Sequence, residues 1–232
     1  MRLRAIHIAP LSSGLLLVLS FPPFNLYLPP FIALTPLFAF LEQERSSYRA
    51  VAGAFACGLV FWGGLLYWVT LFTDAGFVVL IIIMSANLAL FTLITRRLQS
   101  RFGLSLCLSA PFVWTAIDYI HAHGDLAFTW GQPVYSLTGF PLIIQFASLC
   151  GPYGVTFWLV AVNAAFYETI KRRAGGVSIR RPLAAAALLF ALPLSFGMVS
   201  YLNSARIEKA APTMRISYVQ PSIPQDLKWS EG

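Results

Sequence analysis

The chain has 232 residues, of which 58% are hydrophobic and 11% are charged, and its formal net charge is +7. An average soluble domain carries about 25% charged residues, and a soluble fold of this length cannot bury so much apolar surface. The composition therefore excludes an ordinary soluble domain and indicates an all-α, polytopic membrane protein. The positive residues fall in short clusters between apolar stretches, so the net charge does not predict a nucleic-acid partner.

Seven apolar stretches predict about seven transmembrane helices. The first follows Arg2 and Arg4 and resembles a signal peptide, but no A-x-A cleavage site follows it, so we interpret it as a retained helix. The first two stretches have 16 residues each, short of the ~20 that a span needs, so they form a tight hairpin or one of them spans only partly. The stretches are residues 6–21, 26–41, 48–71, 77–98, 104–121, 153–170 and 182–202.

The distribution of Lys and Arg predicts the orientation of these helices. With a cytoplasmic N-terminus, seven helices leave the C-terminus outside, and twelve basic residues fall on the cytoplasmic side against four on the outer side. The cytoplasmic set is Arg2, Arg4, Arg45, Arg49, Arg96, Arg97, Arg101, Lys171, Arg172, Arg173, Arg180 and Arg181, and the outer set is Arg206, Lys209, Arg215 and Lys228. This bias follows the positive-inside rule. It predicts that the long segment 122–152 and the C-terminal end lie on the outer side.

The last twenty residues differ from the rest of the chain. Side-chain character alternates from Met214 to Val219, and Pro221 and Pro224 bound the segment, which predicts a short β-strand. One strand needs a sheet to join. We therefore expect residues 1–205 to form the membrane domain and residues 206–232 to begin a soluble domain whose remainder lies beyond this chain.

The segment V-Q-P-S-I-P-Q-D-L-K-W, residues 219–229, resembles the entry into the nitrilase-like domain of apolipoprotein N-acyltransferases. These are bacterial inner-membrane enzymes that add the third acyl chain to lipoproteins. Residues 223–225 and 227–229 match the family, while Pro221 and Ser222 depart from its usual Gly or Asn. The resemblance implies a nitrilase-like α/β domain on the periplasmic side of the inner membrane.

Two further motifs of the same family lie in or next to the long outer segment. They are F-T-W-G-Q-P-V-Y-S at residues 128–136 and G-P-Y-G-V-T-F-W-L-V-A-V-N at residues 151–163, where Thr129 and Thr156 replace a Pro and a Ser of the family patterns. The matching aromatic residues are Trp130, Tyr135 and Tyr153. By resemblance, these three and Trp229 are candidates for a vestibule that guides an acyl chain, and the alternative is aromatic anchoring at the interface.

Asp118 is a carboxylate that lies inside the fifth apolar stretch. An acidic residue there is costly and should have a partner, and His121 is three residues further along the same helix face. We therefore expect Asp118 and His121 to form a structural polar pair. The family has an acidic residue at this place too, but an Arg where His121 stands.

Three cysteines, Cys57, Cys107 and Cys150, lie in or beside apolar stretches, and their spacing predicts neither a disulfide framework nor a metal site. Cys150 precedes Gly151 and a helix start, where a helix dipole favours a thiolate. No His or Lys is near it in the sequence, so we expect no nucleophile there. No cofactor is expected.

The family transfers an acyl chain from a phospholipid onto an enzyme cysteine and then onto the α-amine of a lipoprotein's N-terminal cysteine. By resemblance, the catalytic Glu, Lys and Cys all belong to the nitrilase-like domain, and we expect all three to lie beyond residues 1–232. Glu231 falls in the entry into that domain and does not match the catalytic Glu of the family. We therefore expect this chain alone to be inactive. It is a truncated product, one half of a split enzyme with a separate nitrilase-like chain, or a non-catalytic membrane module that binds lipid or a partner.

Overall fold

A computed structural model describes residues 2–125 and 127–223, and the regular secondary structure in these two ranges is helical. Three short 3-10 helices lie at Pro29–Phe31, Tyr67–Leu71 and Pro133–Leu137. The α-helices are α1 (Arg2–Leu19), α2 (Thr35–Gln43), α3 (Ser47–Leu65), α4 (Asp74–Phe102), α5 (Leu106–His121), α6 (Pro141–Ile144), α7 (Ala147–Ala174) and α8 (Arg180–Ala210).

Four helices of the described ranges are long and apolar enough to cross a membrane, namely α3, α4, α7 and α8. Only 17% of the most apolar window of α8 and 28% of that of α4 is buried, so most of their apolar side chains face outward. A soluble protein rarely exposes such extended apolar surface. The helices therefore present a lipid-facing surface, as expected for a membrane protein.

The prediction of seven spanning helices is not confirmed. The apolar part of α1, Ile8–Leu19, and the 16-residue α5 are both shorter than the ~20 residues of a full span. The second apolar stretch forms no continuous helix, because Pro29 and Pro30 start a 3-10 turn and α2 begins only at Thr35. With nine residues, α2 is roughly 13 Å long.

Two polar side chains from neighbouring helices hold this interrupted segment. The buried Asn163 of α7 accepts a hydrogen bond from Leu34 N (2.9 Å) and donates one to Pro30 O (2.8 Å). Ser13 of α1 accepts a hydrogen bond from Leu37 N at 2.8 Å. Non-helical backbone at membrane depth is tolerated only where it is enclosed by protein and its polar groups are satisfied.

The remaining elements differ from the predictions at four places. The third stretch ends as an α-helix at Leu65, and the long segment 122–152 contains α6 and the start of α7, which is interrupted at Gly151 (φ 66°). The helix α8 continues to Ala210, beyond the boundary expected at residue 205. Residues 212–223 contain no strand, so the predicted strand from Met214 to Val219 is not seen in the described chain. A strand needs a sheet to pair with.

Glycine permits close helix packing at several contacts, including those of α3 with α4 and of α6 with α8. A Cβ added to Gly58 of α3 would lie 2.7 Å from the Cα of Ser85 in α4. A Cβ added to Gly197 of α8 would collide with the backbone carbonyl of Leu142 in α6. The core between the helices is rich in aromatic residues, with Phe38, Phe61 and Phe91 among its fully buried side chains.

Candidate functional site: an aromatic groove

A groove with a volume of about 470 Å³ opens at the end of the bundle where α1 and α3 terminate. We call it the aromatic groove, and its principal lining residues are Pro22, Pro23, Tyr67, Trp68, Trp130 and Tyr135. They come from the turn after α1, the 3-10 helix after α3 and the long segment between α5 and α7.

The wall of the groove is a stack of aromatic rings from two parts of the chain. The rings of Trp68 and Trp130 are stacked, with centroids 4.9 Å apart and an interplanar angle of 28°. Phe128 stacks on Trp130 with centroids 6.2 Å apart and contacts the Trp62 ring edge-on at 6.4 Å. Such contacts between aromatic rings stabilise their relative positions beyond simple area burial.

The loop that carries Trp130 is fixed to the bundle by one backbone and one side-chain hydrogen bond. Phe128 N donates to His121 O at 3.0 Å, and Gln132 Nε2 donates to Asp118 O at 3.3 Å. Gly131 lies directly on the Trp62 ring, and a Cβ at this position would collide with that ring. Because only glycine permits this approach, the loop passes close over α3 and places Trp130 beside Trp68.

The structure brings together two of the four residues predicted for the vestibule. Trp130 and Tyr135 both line the aromatic groove and are 60% and 39% exposed. Tyr153 lies elsewhere, with its ring packed edge-on against Tyr119 of α5 at 5.2 Å, and it does not line the groove. Trp229 lies outside the described residues.

The sequence interpretation missed part of the groove. Tyr67, Trp68, Pro22 and Pro23 are not among the residues predicted for the vestibule. The signal for them was present, because a Pro-Pro pair and a Tyr-Trp pair each follow an apolar helix and so mark helix ends at the same face of the bundle.

The groove carries the chemistry of a binding site for an apolar chain. Its remaining lining residues, Phe21, Leu65 and Thr138, contain no ionisable group, so the phenols of Tyr67 and Tyr135 are the titratable groups on its surface. Outside the groove, Cys150 Sγ contacts the carbonyl of Phe146 at 3.4 Å. No cluster of three or more His, Cys, Asp or Glu suited to a metal is found among the described residues.

The expected pair between Asp118 and His121 is not formed. Asp118 Oδ2 and His121 Nδ1 are both buried without a hydrogen-bond partner, and the two residues form no ion pair. Side chains in a helix lean toward its N-terminus, which directs the Asp118 carboxylate toward Trp114 rather than toward His121. Asp118 instead lines a cavity of about 30 Å³ together with Trp62, Asn87 and Trp114. The indole Nε1 atoms of both tryptophans are buried and unpartnered as well.

Comparison with known proteins identifies relatives of the whole membrane region. Residues 13–165 match the family model for the apolipoprotein N-acyltransferase N-terminal domain. An apolipoprotein N-acyltransferase of Chlorobaculum tepidum is 29% identical over 230 residues, which is 95% of this chain and 42% of the relative. The one from Geobacter metallireducens is 28% identical over 94% of this chain and 43% of its own length. The one from Thermotoga maritima is 33% identical over 125 residues. The chain thus spans less than half the length of its most fully covered relatives.

Proposed function

This chain belongs to the apolipoprotein N-acyltransferase family, and we propose that it is the membrane portion of such an enzyme. In this proposal the complete enzyme transfers an acyl chain from a phospholipid to the N-terminal cysteine amine of a bacterial lipoprotein. A nitrilase-like domain supplies the catalytic Glu, Lys and Cys, and residues 1–232 by themselves are inactive. The protein lies in the inner membrane with its N-terminus in the cytoplasm and its C-terminal end in the periplasm.

The aromatic groove is the observation that carries this proposal. Its surface is apolar and its lining lacks carboxylate, amine, imidazole and thiol groups, so it suits a hydrocarbon chain and not acid–base chemistry. The volume of about 470 Å³ is in the range of small-molecule sites. Trp68 and Trp130 would contact the chain through the parts of their rings that the stacking leaves uncovered in the groove, while Tyr135 would contact the polar end of the lipid.

The periplasmic placement of the groove rests on the charge distribution. The groove lies at the end of α3 that follows Trp62, whereas Arg45, Arg49 and the arginines that close α4 cluster at the opposite end. Under the positive-inside rule the arginine-rich end is cytoplasmic, so the groove opens toward the periplasm. There it would meet a nitrilase-like domain, and Trp229 would face the substrate entrance.

A second candidate function is a non-catalytic membrane module. It rests on the same groove, because an apolar groove can bind lipid without catalysis, and on the exposed segment 212–223, which could pair with a sheet edge of a separate nitrilase-like chain. The two candidates differ in one respect that experiment can test. A module that only binds lipid does not support acyl transfer when it replaces the membrane portion of an active enzyme.

A chimeric enzyme provides this test. The chain is fused in place of the matched segment of the Chlorobaculum tepidum relative, and the product is assayed on a diacylated lipopeptide by the mass increase of a third acyl chain. We expect transfer by the chimera, and a loss of at least tenfold in the Trp130→Ala/Tyr135→Ala variant, because the donor chain loses contacts that position it. The matched control is Tyr153→Ala, since Tyr153 lies outside the groove.

Two outcomes contradict the proposal. A chimera that inserts and folds but transfers no acyl chain excludes the membrane-portion assignment and supports the non-catalytic module. The aromatic groove is excluded as the acyl-chain site if the groove variant transfers as fast as the parent chimera. It is also excluded if the transfer rate of the groove variant falls no further than that of the Tyr153→Ala control.

A further inference from the structure

A second cavity, of about 570 Å³, lies at the opposite end of α3 from the aromatic groove. We call it the arginine pocket, and its lining includes Glu44, Arg45, Ser47, Leu93, Arg96 and Arg97. The pocket contains Ser47 at the start of α3 and the groove contains Leu65 at its end. An α-helix rises 1.5 Å per residue, so these ends are roughly 27 Å apart, which is close to the thickness of a bilayer core.

Arg96 and the two acidic side chains of the pocket are already engaged within the protein. The guanidinium of Arg96 donates to the carbonyls of Glu44 (2.8 Å) and Arg45 (3.0 Å) and so caps the C-terminal end of α2. The Glu44 carboxylate accepts a hydrogen bond from Ser46 N. Glu42 is held by Lys171 and by the hydroxyl of Tyr167. These groups shape the pocket but leave little capacity for a ligand.

Arg45 and Arg97 remain available. Both are exposed, and neither guanidinium forms a hydrogen bond or an ion pair with any residue of the described ranges. The first backbone N–H groups of α3, at Ser47 and Tyr48, have no intrahelical partner and carry the positive end of the helix dipole. Two unpaired guanidinium groups beside a helix N-terminus are an arrangement that favours an anion such as phosphate.

Apolar side chains continue from the pocket along the outer face of α4. Leu93, in the pocket wall, is 51% exposed, and Leu90, one turn away, is 45% exposed. Ile83 and Ile82 extend the same exposed apolar surface further along the helix. Inorganic phosphate makes no favourable contact with an apolar surface, whereas a phospholipid can place its acyl chains along it.

We propose that the arginine pocket binds the headgroup of an anionic phospholipid, with Arg45 and Arg97 contacting the phosphodiester and an acyl chain lying along Leu93 and Leu90. This lipid is distinct from the acyl donor, because the pocket and the aromatic groove lie at opposite ends of α3. It would fix the turn between α2 and α3 against α4 at the membrane surface. Basic pockets between transmembrane helices are suited to this role.

The binding of short-chain lipids to the full 232-residue chain tests this proposal. The protein in non-ionic detergent is titrated with dioctanoylphosphatidylglycerol, dioctanoylphosphatidylcholine or inorganic phosphate, and bound molecules are counted by native mass spectrometry. We expect saturable binding of the anionic lipid and a Kd about tenfold to thirtyfold higher in the Arg45→Gln/Arg97→Gln variant, since two charge contacts are lost. The Arg45→Lys/Arg97→Lys variant should retain most of the affinity.

The matched control is Arg173→Gln/Arg180→Gln. These arginines are exposed and lie outside the pocket, and the pairing of Lys171 with Glu42 puts the end of α7 at the same end of the bundle. The control should bind the anionic lipid as the wild type does. The proposal is overturned if both double variants lose the same affinity for the anionic lipid, or if Arg45→Gln/Arg97→Gln loses none. It is also overturned if the wild type binds the choline lipid as tightly as the anionic lipid. Binding of inorganic phosphate as tight as that of the anionic lipid also overturns it, in favour of a free-anion site.

Discussion

Asn163 Oδ1 accepts a hydrogen bond from the backbone N–H of Leu34 at 2.9 Å, so a single side chain of α7 completes the interrupted second segment of the membrane domain. The same side chain donates to Pro30 O at 2.8 Å and to its own helix at Leu159 O. Asn163 is 1% exposed, and no water can replace these contacts from outside. The Leu34 N–H and the Pro30 carbonyl in the broken segment therefore both depend on this one amide.

Replacement of Asn163 by Leu should strongly destabilise the protein. It leaves the buried Leu34 N–H and Pro30 carbonyl without partners, and each unsatisfied buried group costs about 1–3 kcal/mol. We expect a clear drop of the thermal unfolding midpoint in detergent. Asn203→Leu is the matched control, because Asn203 is exposed on α8 and should change the midpoint little. Equal midpoints for the two variants would show that Asn163 does not hold the segment.

Gly58 should be required for the packing of α3 on α4. Gly58→Ala places a methyl group 2.7 Å from the Cα of Ser85, and overpacking of this kind costs about 1–3 kcal/mol. Gly63→Ala in the same helix is the control, since nothing lies within 4 Å of the added Cβ. It should be neutral or stabilising by roughly 0.5–1 kcal/mol through helix propensity. The thermal unfolding midpoints of both variants test this prediction. A lower midpoint for Gly63→Ala than for Gly58→Ala would contradict the close approach of α3 and α4.

Asp118 should tolerate the loss of its carboxylate. Its Oδ2 atom is buried without a partner, so Asp118→Asn removes a group that is costly to bury and keeps its volume. We expect the free energy of unfolding to be at least as high as in the wild type, with Asp125→Asn in the exposed loop as the control. A decrease of about 3–5 kcal/mol in the free energy of unfolding is the cost of breaking a buried ion pair. Such a decrease would show that Asp118 pairs with His121 after all.

Much of the helical architecture could be predicted from the sequence because apolar stretches and arginine clusters report helix location directly. The long helices α4, α7 and α8 each contain a predicted stretch. A full span over the second stretch is not confirmed, because hydrophobicity does not distinguish a continuous helix from an apolar segment that proline interrupts. Its conformation depends on Asn163 and Ser13, which are 129 and 24 residues away from the backbone groups that they bind.

Only part of the candidate site could be predicted from the sequence, because the rest also depends on contacts between residues that are distant in the sequence. Trp130 and Tyr135 could be singled out because they belong to a family motif, whereas Tyr67 and Trp68 join the groove through the fold. The stacking of Trp68 on Trp130 depends on the passage of Gly131 over Trp62, which no local pattern encodes. Tyr153 follows the interruption of α7 at Gly151, and its ring packs against Tyr119 outside the groove.

The most direct test of the proposed function measures the occupancy of the aromatic groove by a phospholipid chain. A photo-crosslinking benzoylphenylalanine replaces Tyr135 in the groove or, as the control, Tyr201 on the exposed face of α8. The protein is irradiated in vesicles with increasing fractions of a phospholipid that carries a tagged acyl chain. We predict that crosslinking at position 135 saturates and is competed by untagged phospholipid, while crosslinking at position 201 rises in proportion to the tagged fraction. Proportional, non-saturating crosslinking at both positions would contradict a lipid-binding groove and with it the central claim.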